Sequence, residues 1–204
     1  MCAQPVISAA VEGNVDEAVF FRLMRHVGAV AGSVYGKRGK AFLRNSVGGY
    51  NHAARHFPWF VLVDLNHEED CGPLLRRAWL PDVGCLMCFR VAVREVEAWL
   101  LADREQMAGF LRVARSRVPT RPENLEDPKS ALIALARRSR SRAIREDLVP
   151  TPGGGRRVGP AYNSQLSQFV AGFWRPEIAA DHAESLSRTL DGLTALLDRI
   201  GQRR

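Results

Sequence analysis

The chain has 204 residues, 46% of them apolar, and a formal net charge of +7. That size predicts one domain, or one domain with an appendage, with apolar residues enough for a real core. Four cysteines are too few for a disulfide scaffold, no run of about 18 apolar residues could span a membrane, and residues 1–11 lack the basic leader and cleavage pattern of a signal peptide, so a reduced, cytoplasmic setting is expected.

The charge is unevenly spread. Residues 1–105 hold 12 Lys/Arg and 12 Asp/Glu, whereas residues 106–204 hold 17 and 10 and so carry the whole excess. A neutral half bearing acids beside a basic half suits a polyanionic partner such as nucleic acid. An arginine-rich solvated surface with no such partner is the plainer alternative.

Pro5 to Phe21 organises the reading. Val6 to Val11 is a short apolar run, predicting a buried strand. Glu12 and Gly13 follow, then Val15, Val19, Leu23 and Val27 recur at helical spacing. Gly13 permits the turn. Asn14 and Glu17 have capping-box spacing, which predicts Asn14 as the N-cap. Asp16 reads most simply as a first-turn acid stabilised by the helix dipole. Glu12 would then sit at the carboxyl end of a strand, the edge where open α/β sheets bind ligands.

Ala29 to Tyr35 predicts a second strand and Ala41 to Phe57 a helix carrying His52 and His56 at i, i+4. No acid completes a zinc motif there, so these are expected to be surface or half-buried histidines. Pro58 to Asn66 is the clearest strand, continuously apolar from Phe60 to Val63 as if covered on both faces. Asp64 and Asn66, two residues apart in that strand, would share a face at its carboxyl end. Two carboxylates and an amide converging on Glu12's edge could hold a hard divalent cation. His67, Glu68, Glu69 and Asp70 thicken that rim, but the run lacks the glycine and distal glutamate of an EF-hand.

Pro73 to Leu80 predicts a short helix and Val83 to Val93 a strand with Cys85 and Cys88 on opposite faces, unable to chelate together. Arg94 to Asp103 turns helical, with Glu97 the acid expected to be partly buried and in need of a partner. Asp103 and Gln106 have cap spacing. An irregular, proline-rich connection follows, then a helix from Ser130 to Arg138. Arg137, Arg138, Arg140, Arg142 and Arg145 crowd five guanidiniums into nine residues, and Arg156 and Arg157 follow a glycine loop. Such a cluster could grip phosphates, though no aromatics are interleaved to stack bases. Pro160 to Phe173 predicts a helix. Leu186, Leu190, Leu193, Leu197 and Ile200 form a stripe expected to pack back on the domain, with a homodimer seam as the lesser reading.

VEGNVDEAVFF at 11–21, VLVDLN at 61–66, VREVEAWLLAD at 93–103 and VGPAYNSQLSQF at 158–169 together resemble a bacterial family of small Toprim-like proteins, over nearly the whole chain. The phrase EVEAWLLAD, a DPK segment and a late GPxYN are the specific part. The EG turn and the acid-x-acid strand end link that family more distantly to Toprim enzymes, including overcoming-lysogenization-defect nucleases, relatives of which work in phage defence. The resemblance implies an α/β fold with a mostly parallel sheet flanked by helices, a Toprim-like core over residues 1–105 and a basic helical extension over 106–204. It implies magnesium or manganese bound for phosphoryl transfer, with Glu12 matching the family glutamate, Asp64 the first aspartate and Asn66 the second. Asn66 departs from the pattern by one negative charge, which Glu97 or Asp70 would restore. The expected function is a metal-dependent nucleic-acid phosphodiesterase with Glu12, Asp64 and Glu97 at its centre. The alternative is a non-catalytic module binding nucleic acid or a protein partner through its basic half.

Overall fold

The structure, a computed structural model, describes residues 4–153 and 155–202. Cys2 and Gly154, which belong to the sequence reading, lie outside them. Four strands form one parallel sheet: β1 (Val6–Val11), β2 (Val30–Gly36), β3 (Trp59–Asp64) and β4 (Met87–Ala92), in the order β2-β1-β3-β4. Helices α1 (Asn14–Val27), α2 (Lys40–Ala53) and α3 (Gly72–Trp79) connect them. The expected α/β sheet flanked by helices is therefore present.

Side-chain alternation along the strands sorts the helices into two layers. Ile7, Ala9 and Val11 of β1, Phe60 and Leu62 of β3 and Cys88 of β4 enter one core with α1. Ala10, Trp59, Val61, Val63, Met87 and Phe89 enter the other, against α2 and α3. Every residue of β3 is buried, which is why that strand reads as an unbroken apolar run. The chain leaves β1 for β2 on one side and then crosses back to place β3 on the other. The strand order thus reverses between β1 and β3, and the crevice at their carboxyl ends is the topological switch point.

The second half supplies α4 (Val96–Ala102), α5 (Arg104–Leu111), α6 (Pro128–Arg137), α7 (Arg142–Leu148), α8 (Tyr162–Gly172), α9 (Pro176–Ala180) and α10 (Glu184–Gly201). Its apolar residues join the core of β1 and α1: Trp99, Leu132, Phe169 and Leu193 pack there with Phe20 and Phe60. Leu186 and Leu193 of the α10 stripe are fully buried, and Leu190, Leu197 and Ile200 pack against the same core. The stripe therefore closes on its own domain. Gly192 lets α10 lie directly on the Arg90 guanidinium, where any β-carbon would collide. No helix among the described residues is long and apolar enough to cross a membrane.

Several boundaries differ from expectation. Gly13, not Asn14, is the N-cap of α1, and no side-chain cap bond forms. Glu17 instead pairs with Lys37 at 2.9 Å. Helix α2 ends at Ala53, so His52 and His56 are not one turn apart on a helix face, and both are exposed. β4 starts at Met87, leaving Cys85 exposed outside the strand while Cys88 is buried within it. The short helices α7 and α9 lacked a sequence signal because each is under two heptads long and half solvent-facing.

Candidate functional site

Glu12 stands just past β1, at the switch point. The chain there is drawn tight: Lys37 N–H donates to Val11 O at 2.8 Å and Gly39 N–H to Glu12 O at 3.1 Å. Gly36 is required for this approach, since its φ is +86° and a β-carbon would lie 2.3 Å from Val11 O. Glu12 Oε1 accepts the Asp64 N–H at 2.8 Å, bridging the ends of β1 and β3. Lys40, the first residue of α2, donates to Asp64 O at 2.7 Å and pins the end of β3 from the other side. Asp64 in turn accepts the Val96 N–H on Oδ1 at 2.9 Å, fixing the first turn of α4 against the sheet.

That turn delivers Glu97, only 2% exposed. Its Oε1 accepts the Tyr162 hydroxyl at 3.1 Å and faces Lys129 Nζ at 3.4 Å. Lys129 Nζ also meets Glu95 Oε1 at 3.1 Å, and the Lys129 N–H donates to Glu95 Oε2. Asp16, in the first turn of α1, completes the group and is 6% exposed. Two carboxylate oxygens, Asp16 Oδ1 and Glu97 Oε2, are buried without a hydrogen-bond partner.

Four acids from four segments thus share one poorly solvated space, which disfavours their charged forms. Burial pushes the Asp16 carboxyl up to about 8, with the charges of Glu97 and Glu12 adding to the push. Burial, then Asp16, Glu97 and Glu12, raise Asp64 well above its ordinary value. Glu97 is raised by burial against the pull of Lys129. Glu12 is raised by burial, opposed by the Asp64 N–H and by Lys40 and Lys129. Lys129 is raised because Glu97 and Glu95 outweigh its own desolvation. An all-oxygen donor set of this kind suits a hard divalent cation. The acids are neighbours rather than a finished shell: no three His, Cys, Asp or Glu among the described residues already close around a metal position.

Of the residues singled out in the sequence, Glu12, Asp64 and Glu97 are brought together. Asn66 is not. The strand stops at Asp64, and Asn66 adopts φ +50°, so the strand-face argument no longer applies to it. Its N–H donates to Arg94 O and its carbonyl accepts from Arg94 Nη1. Asp70 lies exposed on the following loop, beside Cys71 and Arg94. Asp16 takes the place expected of these two. Its sequence position looks like an ordinary helix-start acid, and only tertiary packing at the start of α1 buries it. Tyr162 and Lys129 carry their signal in the GPAYN and DPK phrases.

The arginine cluster divides. Arg142 pairs with Glu146 at 2.7 Å, and Arg145 Nη1 donates to Ser139 O, closing the turn before α7. Arg137 and Arg138 are exposed at the end of α6. Arg156 and Arg157 line an open pocket of about 570 Å³ with Asn14, Tyr162, Asn163 and Ser167. Tyr162 belongs to both this pocket and the acid cluster. Arg140 lines a different groove.

Fold and site define a doubly wound parallel α/β protein with a carboxylate-rich centre at its switch point. Comparison with protein-family models, curated proteins and solved structures finds no match.

Proposed function

We propose that the chain is a magnesium- or manganese-dependent phosphodiesterase acting on nucleic acid, of the Toprim-like kind its motifs resemble. The observation that carries this reading is the buried carboxylate cluster with two unpartnered oxygens, Asp16 Oδ1 and Glu97 Oε2. Groups so placed need protons or a cation, and a divalent ion satisfies both at once. Glu12, Asp16, Asp64 and Glu97 are the residues to hold it. When bound, the ion supplies Lewis-acid polarisation of a phosphoryl oxygen and an acidified water.

The protein's own groups do the rest. Arg156 and Arg157 meet phosphate charge in the pocket beside Tyr162. Tyr162 and Lys129 hold Glu97 in place. Lys40 keeps the end of β3 from fraying, so that Glu12 and Asp64 remain in register. A second reading is a non-catalytic module, in which Lys129 is the permanent counter-ion. Its two ion pairs, with Glu95 and Glu97, favour that reading.

Calorimetric titration with manganese separates the two. Glu12→Gln keeps the acceptor for the Asp64 N–H and removes one charge. The metalloenzyme reading expects wild type to bind manganese in the sub-millimolar range, Glu12→Gln to lose it, and labelled DNA or RNA to be cut only by wild type with metal. No binding heat by wild type, with no cleavage, overturns the enzyme and leaves the binding module.

A further inference from the structure

The second groove lies away from the acids and has a different chemistry. It is an open trough of about 1050 Å³ between the end of α5 and the turn before α7, with Phe110, Arg112, Arg140, Ser141 and Phe173 among its walls. Phe173 is 59% exposed. Phe110 is half-buried and braced against Phe169 at a ring separation of 5.0 Å. The arginines come from segments far apart in sequence, yet they are tied together: the Arg140 N–H donates to Arg112 O at 3.3 Å. Arg112 closes α5 at φ +54°, a left-handed cap where glycine would be unstrained. Among the described residues no carboxylate lines the trough. The sequence offers no aromatic beside the arginine run, and the fold brings two from elsewhere.

We propose that this trough is a single-stranded nucleic-acid subsite, in which Phe173 and Phe110 present faces to unpaired bases while Arg112 and Arg140 meet the backbone. Aromatic faces between guanidiniums are what a strand with exposed bases requires, whereas a duplex, with its bases stacked inside, has no use for the phenyl rings. Helix α8 sets the spacing. Tyr162 at its start touches Glu97, and Phe173 follows its last residue, so about 16 Å of helix separates the subsite from the acid cluster. A strand held in the trough would run along α8 toward the phosphate pocket at Arg156 and Arg157. The proposal rests on the phosphodiesterase reading for its purpose, but its test does not.

The test is fluorescence anisotropy with a labelled single-stranded DNA of about a dozen nucleotides, within the usual site size, and with the same sequence as duplex, in EDTA. Wild type should prefer the single strand. Phe173→Ala should weaken it by about tenfold, the loss of one stacked base, while Phe173→Tyr restores it. Arg140→Ala should reduce the slope of log affinity against log salt by about one. Equal binding by wild type, Phe173→Ala and Arg140→Ala overturns the subsite, as does an absence of single-strand binding or a preference for duplex. If Phe173→Ala loses the strand while no manganese site or cleavage is found, the subsite stands and the phosphodiesterase reading falls.

Discussion

At the end of α4, Asp103 is fully buried, yet its carboxylate is surrounded by donors. It caps α5 through the Gln106 N–H, and it accepts the Arg175 N–H at 3.1 Å, Nε at 2.9 Å and Nη2 at 2.8 Å. At the start of the same helix, Glu97 is buried as deeply, with one oxygen unpartnered and three other acids as neighbours. The same cost of taking a carboxylate out of water is met at one end by a bidentate arginine and at the other on one oxygen only, by Tyr162 and Lys129. One acid is part of the scaffold. The other has room for a ligand.

That contrast predicts opposite responses to mutation. Arg175→Ala strands Asp103 without its cation and should cost about 3–5 kcal/mol in urea denaturation, the largest stability effect expected here. If it costs under about 1 kcal/mol, Asp103 is not held as the structure suggests. Asp16→Asn removes a charge from the open cluster and should do the reverse in metal-free protein. At pH 8 it should raise Tm by roughly 2–4 °C, equivalent to about 1 kcal/mol in a chain of this size, and abolish stabilisation by manganese.

The pH dependence of stability sharpens the comparison further. Asp16 is raised in the fold to about 8 from an ordinary 3.8, so the folded state holds a proton that the unfolded chain releases. That contribution is complete below the unfolded value and is lost as pH rises through about 8. Glu12, Asp64 and Glu97 shift in the same direction. Thermal melts in EDTA should therefore show Tm falling from about pH 5 to pH 8, with the slope shallower in Asp16→Asn and offset by manganese at the alkaline end. A flat profile would mean that the acids are better solvated than their burial indicates. The smallest effect is expected of Tyr162→Phe, which removes one donor to Glu97 and leaves Lys129. It should cost about 1 kcal/mol and raise the pH sensitivity of the melts.

Much of the sheet was legible in the chain because a strand covered on both faces must be apolar throughout. Phe60 to Val63 could be little else, and the turn at Glu12–Gly13 announced the first crossover. Ends were less legible. Asn14 and Glu17 have the spacing of a capping box, but Lys37 arrives from β2's loop and takes Glu17 away. Asn66 was placed by extending the strand two residues too far, where the backbone actually turns left-handed to meet Arg94. Both errors have one cause: a local pattern was outweighed by a partner distant in sequence.

The sequence by itself determined the alternation of strands and helices, the uneven charge, and the position of Glu12 and Asp64 at strand ends, because these follow from periodicities of two to four residues. Only the tertiary structure decided which acids share a site. It is the packing of α8 on α1, with Glu97 brought in by α4, that buries Asp16 near Glu97, and the tie between Arg112 and Arg140 that sets arginines next to the exposed Phe173 and the half-buried Phe110. Burial and proximity are properties of segments brought together from opposite ends of the chain, and no local spacing encodes them.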